Sequence, residues 1–411
     1  MQLSYNNNRF KPQKTSNNLY YIFKQNATKL SILVTSLVVL IFIFPQFVSF
    51  PKLFSISSSN VEYPPLHGFY KNDIITKKTL IFPSIEHAPL LRELSINSLF
   101  DYIVDQKGIK HYKFTEAIRE EEVELNAQLN GQDESQTEML KIKNSFLNHG
   151  KLKFEGNTPD IVLVTGIDFQ KYELSHLTKI VQNRVNYAQT KKYGLYVRWL
   201  QEFAPFFETY DHEKHKEWVK IYLLRAAMYA FPKAKYFWYL DQDALVMRYD
   251  IDVYKYLLDP AVLDPIMLRD QPIIPPSGVI RTFKNSKAEK AELFLTQIGQ
   301  DLNLNSFIIK NGLHTKSLVE FWGDKLFQNY HNFPNFAESA ITHILQWHPA
   351  YLARTAIIPP RTIASLTSVI EVDDDIHYKN GDFIVSLRGC DETNSCTKEI
   401  DRYWAIVEKK D

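Results

Sequence analysis

Tyr236-Phe237-Trp238-Tyr239-Leu240-Asp241-Gln242-Asp243-Ala244-Leu245-Val246 is the stretch that decides how this chain folds. A short run of aromatic and aliphatic residues reads as a buried strand. It ends in two carboxylates one residue apart, at the carboxyl edge where open α/β sheets take their ligands. Two hard oxygen donors at that spacing suit a divalent cation that keeps some waters and bridges to phosphates. Asp-x-Asp alone is common in soluble loops, and the strand in front of it gives it weight.

The flanks extend the pattern. Ile161-Val162-Leu163-Val164-Thr165-Gly166 reads as a buried strand ending in a turn, Tyr172 to Tyr187 as a helix, and Gly194 to Arg198 as a second strand. His212 to Phe231 is helical and stopped by Pro232, and the next strand delivers the two aspartates. Strand, helix, strand, helix, strand implies right-handed crossovers and a mostly parallel central sheet in an α/β fold. The turn Gly166-Ile167-Asp168 should lie beside the carboxylates, where Asp168 contacts a ribose or base or else caps a helix. On the helix before the motif, Trp218, Ile221, Leu224, Met228 and Phe231 form one apolar face. Arg225 projects near that side and needs an anion, a nearby carboxylate or a ligand phosphate. Lys220 points elsewhere and reads as solvated surface.

The chain has 411 residues, 45% of them hydrophobic, and a formal charge of +1, which argues against nucleic acid as a partner. Its start is different. Arg9, Lys11, Lys14, Lys24 and Lys29 precede Leu30 to Phe50, which carries no charge. An apolar helix of that length rises about 30 Å, enough to cross a bilayer, with the basic flank held in the cytosol. The expected layout is a cytosolic tail at 1–29, a transmembrane signal anchor at 30–50, a luminal stem at 51–155 and one α/β domain at 156–411. Within the stem, Leu90 to Ile103 is apolar enough to pack locally. Cys390 and Cys396 are expected to close a short luminal disulfide, the alternative being two free thiols. No Ser-His-Asp or Cys-His arrangement at motif spacing suggests a hydrolase, and there is no Gly-rich phosphate loop.

From Glu217-Trp218-Val219-Lys220-Ile221, through Arg225 and Phe231-Pro232, to the Asp-x-Asp segment, the chain resembles glycosyltransferase family 34. That family groups fungal Golgi α-1,6-mannosyltransferases and α-galactosyltransferases with plant xyloglucan xylosyltransferases. The likeness covers roughly Pro159 to Cys390. It implies a GT-A fold, residence in the Golgi membrane with a luminal domain, a nucleotide-sugar donor, Mn²⁺ on Asp241 and Asp243, and retention of the α configuration. For the mannan branch the donor is GDP-mannose and the acceptor a mannan or N-glycan, with further mannosyltransferase subunits as partners. The alternatives are a galactosyltransferase using UDP-galactose and a non-catalytic subunit of a mannosyltransferase complex. By the same resemblance, Arg225 and Arg361 supplement the positive field at the donor, Asp168 lies near the nucleoside, and Asn303 and Glu338 position sugar hydroxyls.

Three stretches depart from the family pattern. Asp301-Leu302-Asn303-Leu304-Asn305-Ser306 lacks two glycines, and Ala337-Glu338-Ser339-Ala340 carries its carboxylate one place late. Ser386 stands where a metal-binding His is usual, and His343 could supply that imidazole. Trp322 and Trp347 read as core residues.

Overall fold

The computed structural model describes residues 80–104, 110–114 and 157–409, apart from short gaps at 208–211, 275–277, 369 and 371, with scattered positions between 106 and 154. The tail and anchor expected at 1–50 lie outside the described residues. Among the described residues, no helix is long and apolar enough to cross a membrane.

The centre of the molecule is a seven-stranded sheet. Leu80–Ile81, Gly194–Trp199, Ile161–Ile167 and Tyr236–Leu240 lie side by side and parallel. Asp301–Lys310 then runs antiparallel to both of its neighbours, Tyr236–Leu240 and Leu293–Ile298. Thr355–Ile358 completes the sheet, parallel to Leu293–Ile298. The strand expected from Tyr236 to Leu240 has those bounds, and the other two predicted parallel strands differ from theirs by one residue at the carboxyl end. Burial on both faces accounts for this legibility: such strands are continuous apolar runs, not alternating ones.

Alternation shows in where each side chain goes. Tyr236, Trp238 and Leu240 enter one core layer, beneath the helices Leu174–Lys191 and Cys396–Glu408. Phe237 and Tyr239 enter the other, beneath His212–Ala230 and Phe336–Trp347. A three-stranded sheet, Ser365–Leu366, Ile384–Ser386 and Ala244–Val246, folds the C-terminal segment back against the residues after Asp243.

Part of the stretch expected as stem is built into this body. Leu80 and Ile81 pair with Leu195 and Tyr196, and Phe82, Ile85, Leu91 and Phe100 are buried. Leu91, Leu99 and Phe100 join the same core cluster as the sheet residues Leu163 and Leu195. Arg92, from the same segment, donates to the Phe169 carbonyl at 2.8 Å and the Tyr172 carbonyl at 2.6 Å, bracing the loop after Ile161–Ile167.

Candidate active site

The parallel strands end on one rim, and a cavity of about 610 Å³ opens there. Asp168 follows Ile167, and Asp241 follows Leu240, so both carboxylates are set by strand ends. Gln242 lines the cavity between the two aspartates, and its Oε1 accepts the Asp168 backbone N–H at 2.9 Å, tying the two loops together. Asp168 uses Oδ1 to accept the Gln170 and Lys171 backbone N–H groups and the Gln201 amide. The carboxylate thus fixes a turn at the cavity wall.

A guanidinium beneath the floor holds the aspartate turn. Arg184, on Leu174–Lys191, is fully buried and donates to the carbonyls of Asp241 (2.7 Å) and Ala244 (2.6 Å) and to Asn183 Oδ1 (2.6 Å). Burial presses its pKa down to about 10, and the charges of Asp241 and Asp243 oppose that. Asn183 pairs with Val246 through both its amide nitrogen and its oxygen, at 2.8 and 2.9 Å, as a strand neighbour would. The turn carrying Asp-x-Asp is therefore clamped at both ends from one helix.

Each aspartate faces a lysine. Asp241 Oδ2 lies 3.2 Å from Lys220 Nζ and accepts the Tyr239 hydroxyl at 3.1 Å, while Oδ1 accepts the Asp243 N–H. Asp243 Oδ2 lies 2.7 Å from Lys171 Nζ, and Oδ1 accepts the Tyr172 hydroxyl. The two carboxylates respond oppositely. Burial would raise Asp241, but the Lys220 ammonium and the Asp243 N–H outweigh it and hold it low. Burial lifts Asp243 to about 6 despite Lys171, with the neighbouring Asp241 charge adding to the rise. Lys171 is shared with Asp391 (2.6 Å) and Lys220 with Glu217 (2.7 Å).

The far wall carries Glu338. Its carboxylate takes both Arg388 nitrogens at 2.9 Å and the Leu304 N–H at 3.2 Å. Burial pushes its pKa up and the Arg388 charge works against that. Asn303 lies one layer down, fully buried and outside the cavity lining, with Oδ1 accepting the Asn305 N–H. Asn305 does line the cavity, and its amide reaches Ser386 Oγ at 3.5 Å. Two of the departures from the family pattern therefore meet in space.

Of the residues singled out in the sequence, the cavity brings together Asp168, Asp241, Asp243 and Glu338. Arg225 does not join them. Its side chain reaches outward, 39% exposed, to Glu320 at 2.8 Å, so the anion it needs is a surface carboxylate. Arg361 is likewise engaged elsewhere, forked onto Asp382 at 2.7 and 3.0 Å. His343 packs against Phe333 and Trp347 and takes no place beside Ser386. Trp322 is core as expected, but Trp347 is 69% exposed. Lys220, read as surface, is buried; it lines the cavity together with the half-buried Lys171 and Arg388. A test follows for Arg225. An exposed ion pair contributes about 0–1 kcal/mol, so Arg225→Ala should keep kcat/KM within about twofold in an initial-rate assay. A loss of tenfold or more would place it at the donor after all.

The donor set can be judged for a cation. Asp241 and Asp243 offer only carboxylate oxygens, with the Asn305 amide nearby and Ser386 a neutral hydroxyl. Cys390 and Cys396 approach Asp243, but they are joined to each other as a disulfide, as expected from the sequence, and cannot act as thiolate ligands. Oxygen donors of this kind fit a hard divalent ion completed by water and phosphate, not a soft or structural metal.

The family model described as the galactosyl transferase GMA12/MNN10 family matches residues 157–397. The chain is 35% identical over 408 residues to the probable alpha-1,6-mannosyltransferase MNN11 of Saccharomyces cerevisiae, covering 94% of each chain. It is 27% identical over 247 residues to the probable alpha-1,6-mannosyltransferase MNN10 of the same yeast, covering 56% of this chain and 59% of that one. An alpha-1,2-galactosyltransferase of Schizosaccharomyces pombe is 27% identical over 260 residues, covering 61% of this chain and 67% of its own.

Proposed function

This chain belongs to the galactosyl transferase GMA12/MNN10 family and is a glycosyltransferase of it, and from that premise we propose that it transfers mannose from GDP-mannose to a mannan or N-glycan acceptor, in α-linkage and with retention. The observation that carries the reading is the Asp241–Asp243 pair on the floor of a cavity whose walls also hold Lys171, Lys220 and Arg388. Carboxylates for a cation and ammonium groups for an anion, within one pocket, match a sugar diphosphate. Mannose rather than galactose is favoured by the likeness to MNN11 over 94% of the chain.

Asp241 and Asp243 would hold Mn²⁺ on the donor diphosphate. When bound, that ion stabilises the charge that develops on the leaving diphosphate. Lys171 and Lys220 stand beside the aspartates to take diphosphate oxygens as the donor enters. The Asp168 turn offers backbone groups to the nucleoside end of the cavity. Glu338, locked by Arg388, presents a fixed edge to a sugar hydroxyl at the other end. The GT-A assignment, the anchor at residues 30–50, a Golgi type II orientation and partner mannosyltransferase subunits belong to the same proposal.

The test is a donor panel. Full-length protein in detergent should extend a mannose oligosaccharide with GDP-mannose and Mn²⁺, and the product should carry a new α-linked mannose by NMR. Turnover of UDP-galactose in its place would reassign the donor. Binding and turnover of no nucleotide sugar would leave the non-catalytic subunit.

A further inference from the structure

The misplaced tryptophan leads to a second surface. Trp347 is 69% exposed and Tyr330 52% exposed, and a file of rings joins them. Tyr330 and Phe333 have ring centroids 4.8 Å apart, Phe333 and His343 5.8 Å, and His343 and Trp347 6.1 Å. Phe333, within this file, is followed in the chain by Pro334, Asn335 and Phe336, which line the cavity. On the helix Phe336–Trp347, Phe336, His343 and Trp347 recur at seven- and four-residue spacing and so share one face. From Phe336 to Trp347 the face extends about 16 Å along the axis.

Composition sets the chemistry of what lies on it. From Phe327 to Ala353 the only formally charged side chain is Glu338, and that one is held by Arg388 inside the cavity. The segment Phe327-Gln328-Asn329-Tyr330-His331-Asn332-Phe333-Pro334-Asn335-Phe336 instead alternates rings with amides. Asn329, His331 and Asn332 are exposed beside Tyr330. A protein interface centres on a contiguous, desolvated apolar core. Here Leu326 is the exposed aliphatic neighbour and amides surround the rings. Nucleic acid or an anionic membrane would call for Lys and Arg. Rings with an apolar face, flanked by neutral donors and acceptors, match a polyol: C–H groups of a pyranose lie on the ring while amides take its hydroxyls.

We propose that the file from Phe336 through Phe333 and His343 to Trp347, with Tyr330 beside it, is a binding strip for an extended, uncharged glycan. The strip holds the part of the acceptor chain that lies outside the cavity. It rests on the reading of the cavity as the transfer site, and it adds a length requirement to it: a longer acceptor gains contacts at Tyr330 and Trp347 that a disaccharide cannot reach.

The test separates the two readings. Full-length protein in detergent is titrated by calorimetry with linear α-linked mannose oligosaccharides of increasing length, and transfer from GDP-mannose to a mannose disaccharide is assayed alongside. Affinity should rise with length, and Trp347→Ala and Tyr330→Ala should each weaken the longest oligosaccharide by about tenfold. Both side chains are exposed, so melting temperature should not move. The same variants should leave GDP-mannose affinity and disaccharide transfer unchanged, which are the measurements that judge the cavity itself. Equal affinity of wild type and both variants for the longest oligosaccharide overturns the strip. So does a fall in oligomeric state of Trp347→Ala, by light scattering, with glycan affinity intact, because the face would then be a protein interface.

Discussion

Asp241→Ala combined with Asp243→Ala should remove sugar transfer, lowering kcat/KM by about 10³-fold or more, while the protein stays folded. The kinetic part follows from losing both carboxylates of the Asp-x-Asp turn, the pair proposed to hold a cation on the diphosphate. Loss of one preorganised electrostatic group at a developing charge already costs about 10²–10³. The folding part follows from the lysines. Removing both aspartates leaves Lys171 with Asp391 at 2.6 Å and Lys220 with Glu217 at 2.7 Å, so neither ammonium is stranded. Initial rates with saturating donor and acceptor, beside a thermal melt, measure the two parts separately. Activity within tenfold of wild type would dismiss the pair as the metal site.

Arg184→Leu should be the most damaging single change to stability, at about 3–5 kcal/mol in urea unfolding. Its guanidinium is fully buried and satisfies the Asp241 and Ala244 carbonyls. Leucine fills part of the volume and leaves both acceptors bare, each at a cost of about 1–3 kcal/mol. Whatever folds should also be slow, because those carbonyls belong to the turn that carries the aspartates. A shift of about 1 Å there is worth about 10² in rate. Arg184→Lys should recover part of the stability, since one ammonium can still reach one carbonyl. An unfolding midpoint equal to wild type for Arg184→Leu would refute the clamp.

How much of this was legible depended on which force places each residue. Tyr236 to Leu240 and its neighbours could be read because burial on two faces leaves an unbroken apolar run. Asp168, Asp241 and Asp243 followed, since residues at the carboxyl ends of parallel strands share one rim. The antiparallel strand Asp301–Lys310 was not legible, because its direction is fixed by a partner found only in space.

Long cations were the hardest to place. Arg225 lies near an apolar face on a helical wheel, but its reach let it leave that face for Glu320. Lys220 sits between Val219 and Ile221 and reads as surface by default. It is buried because Asp241 and Glu217 give it two counter-ions. Arg184 did carry a signal. It falls in phase with Leu177, Val181 and Ala188, and a guanidinium in an apolar stripe demands buried acceptors. Arg388 carried none, since its partner Glu338 is 50 residues away in sequence. Trp347 misled because large aromatic residues are usually buried.

The lysines that face Asp241 and Asp243 have one more effect. They give the site its own counter-charge, so a divalent ion bound there as proposed would have to compete with two ammonium groups for the carboxylates. On the proposed reading, a sugar diphosphate would offer Lys171 and Lys220 phosphate oxygens to turn to, leaving the carboxylates free for the ion. Each ligand thereby removes the obstacle to the other. Linkage then requires that the nucleotide sugar tighten the ion by the same factor by which the ion tightens the nucleotide sugar. If Asp241 and Asp243 hold a cation as proposed, the pair of lysines would make donor and cation behave as a single ligand, admitted together or hardly at all.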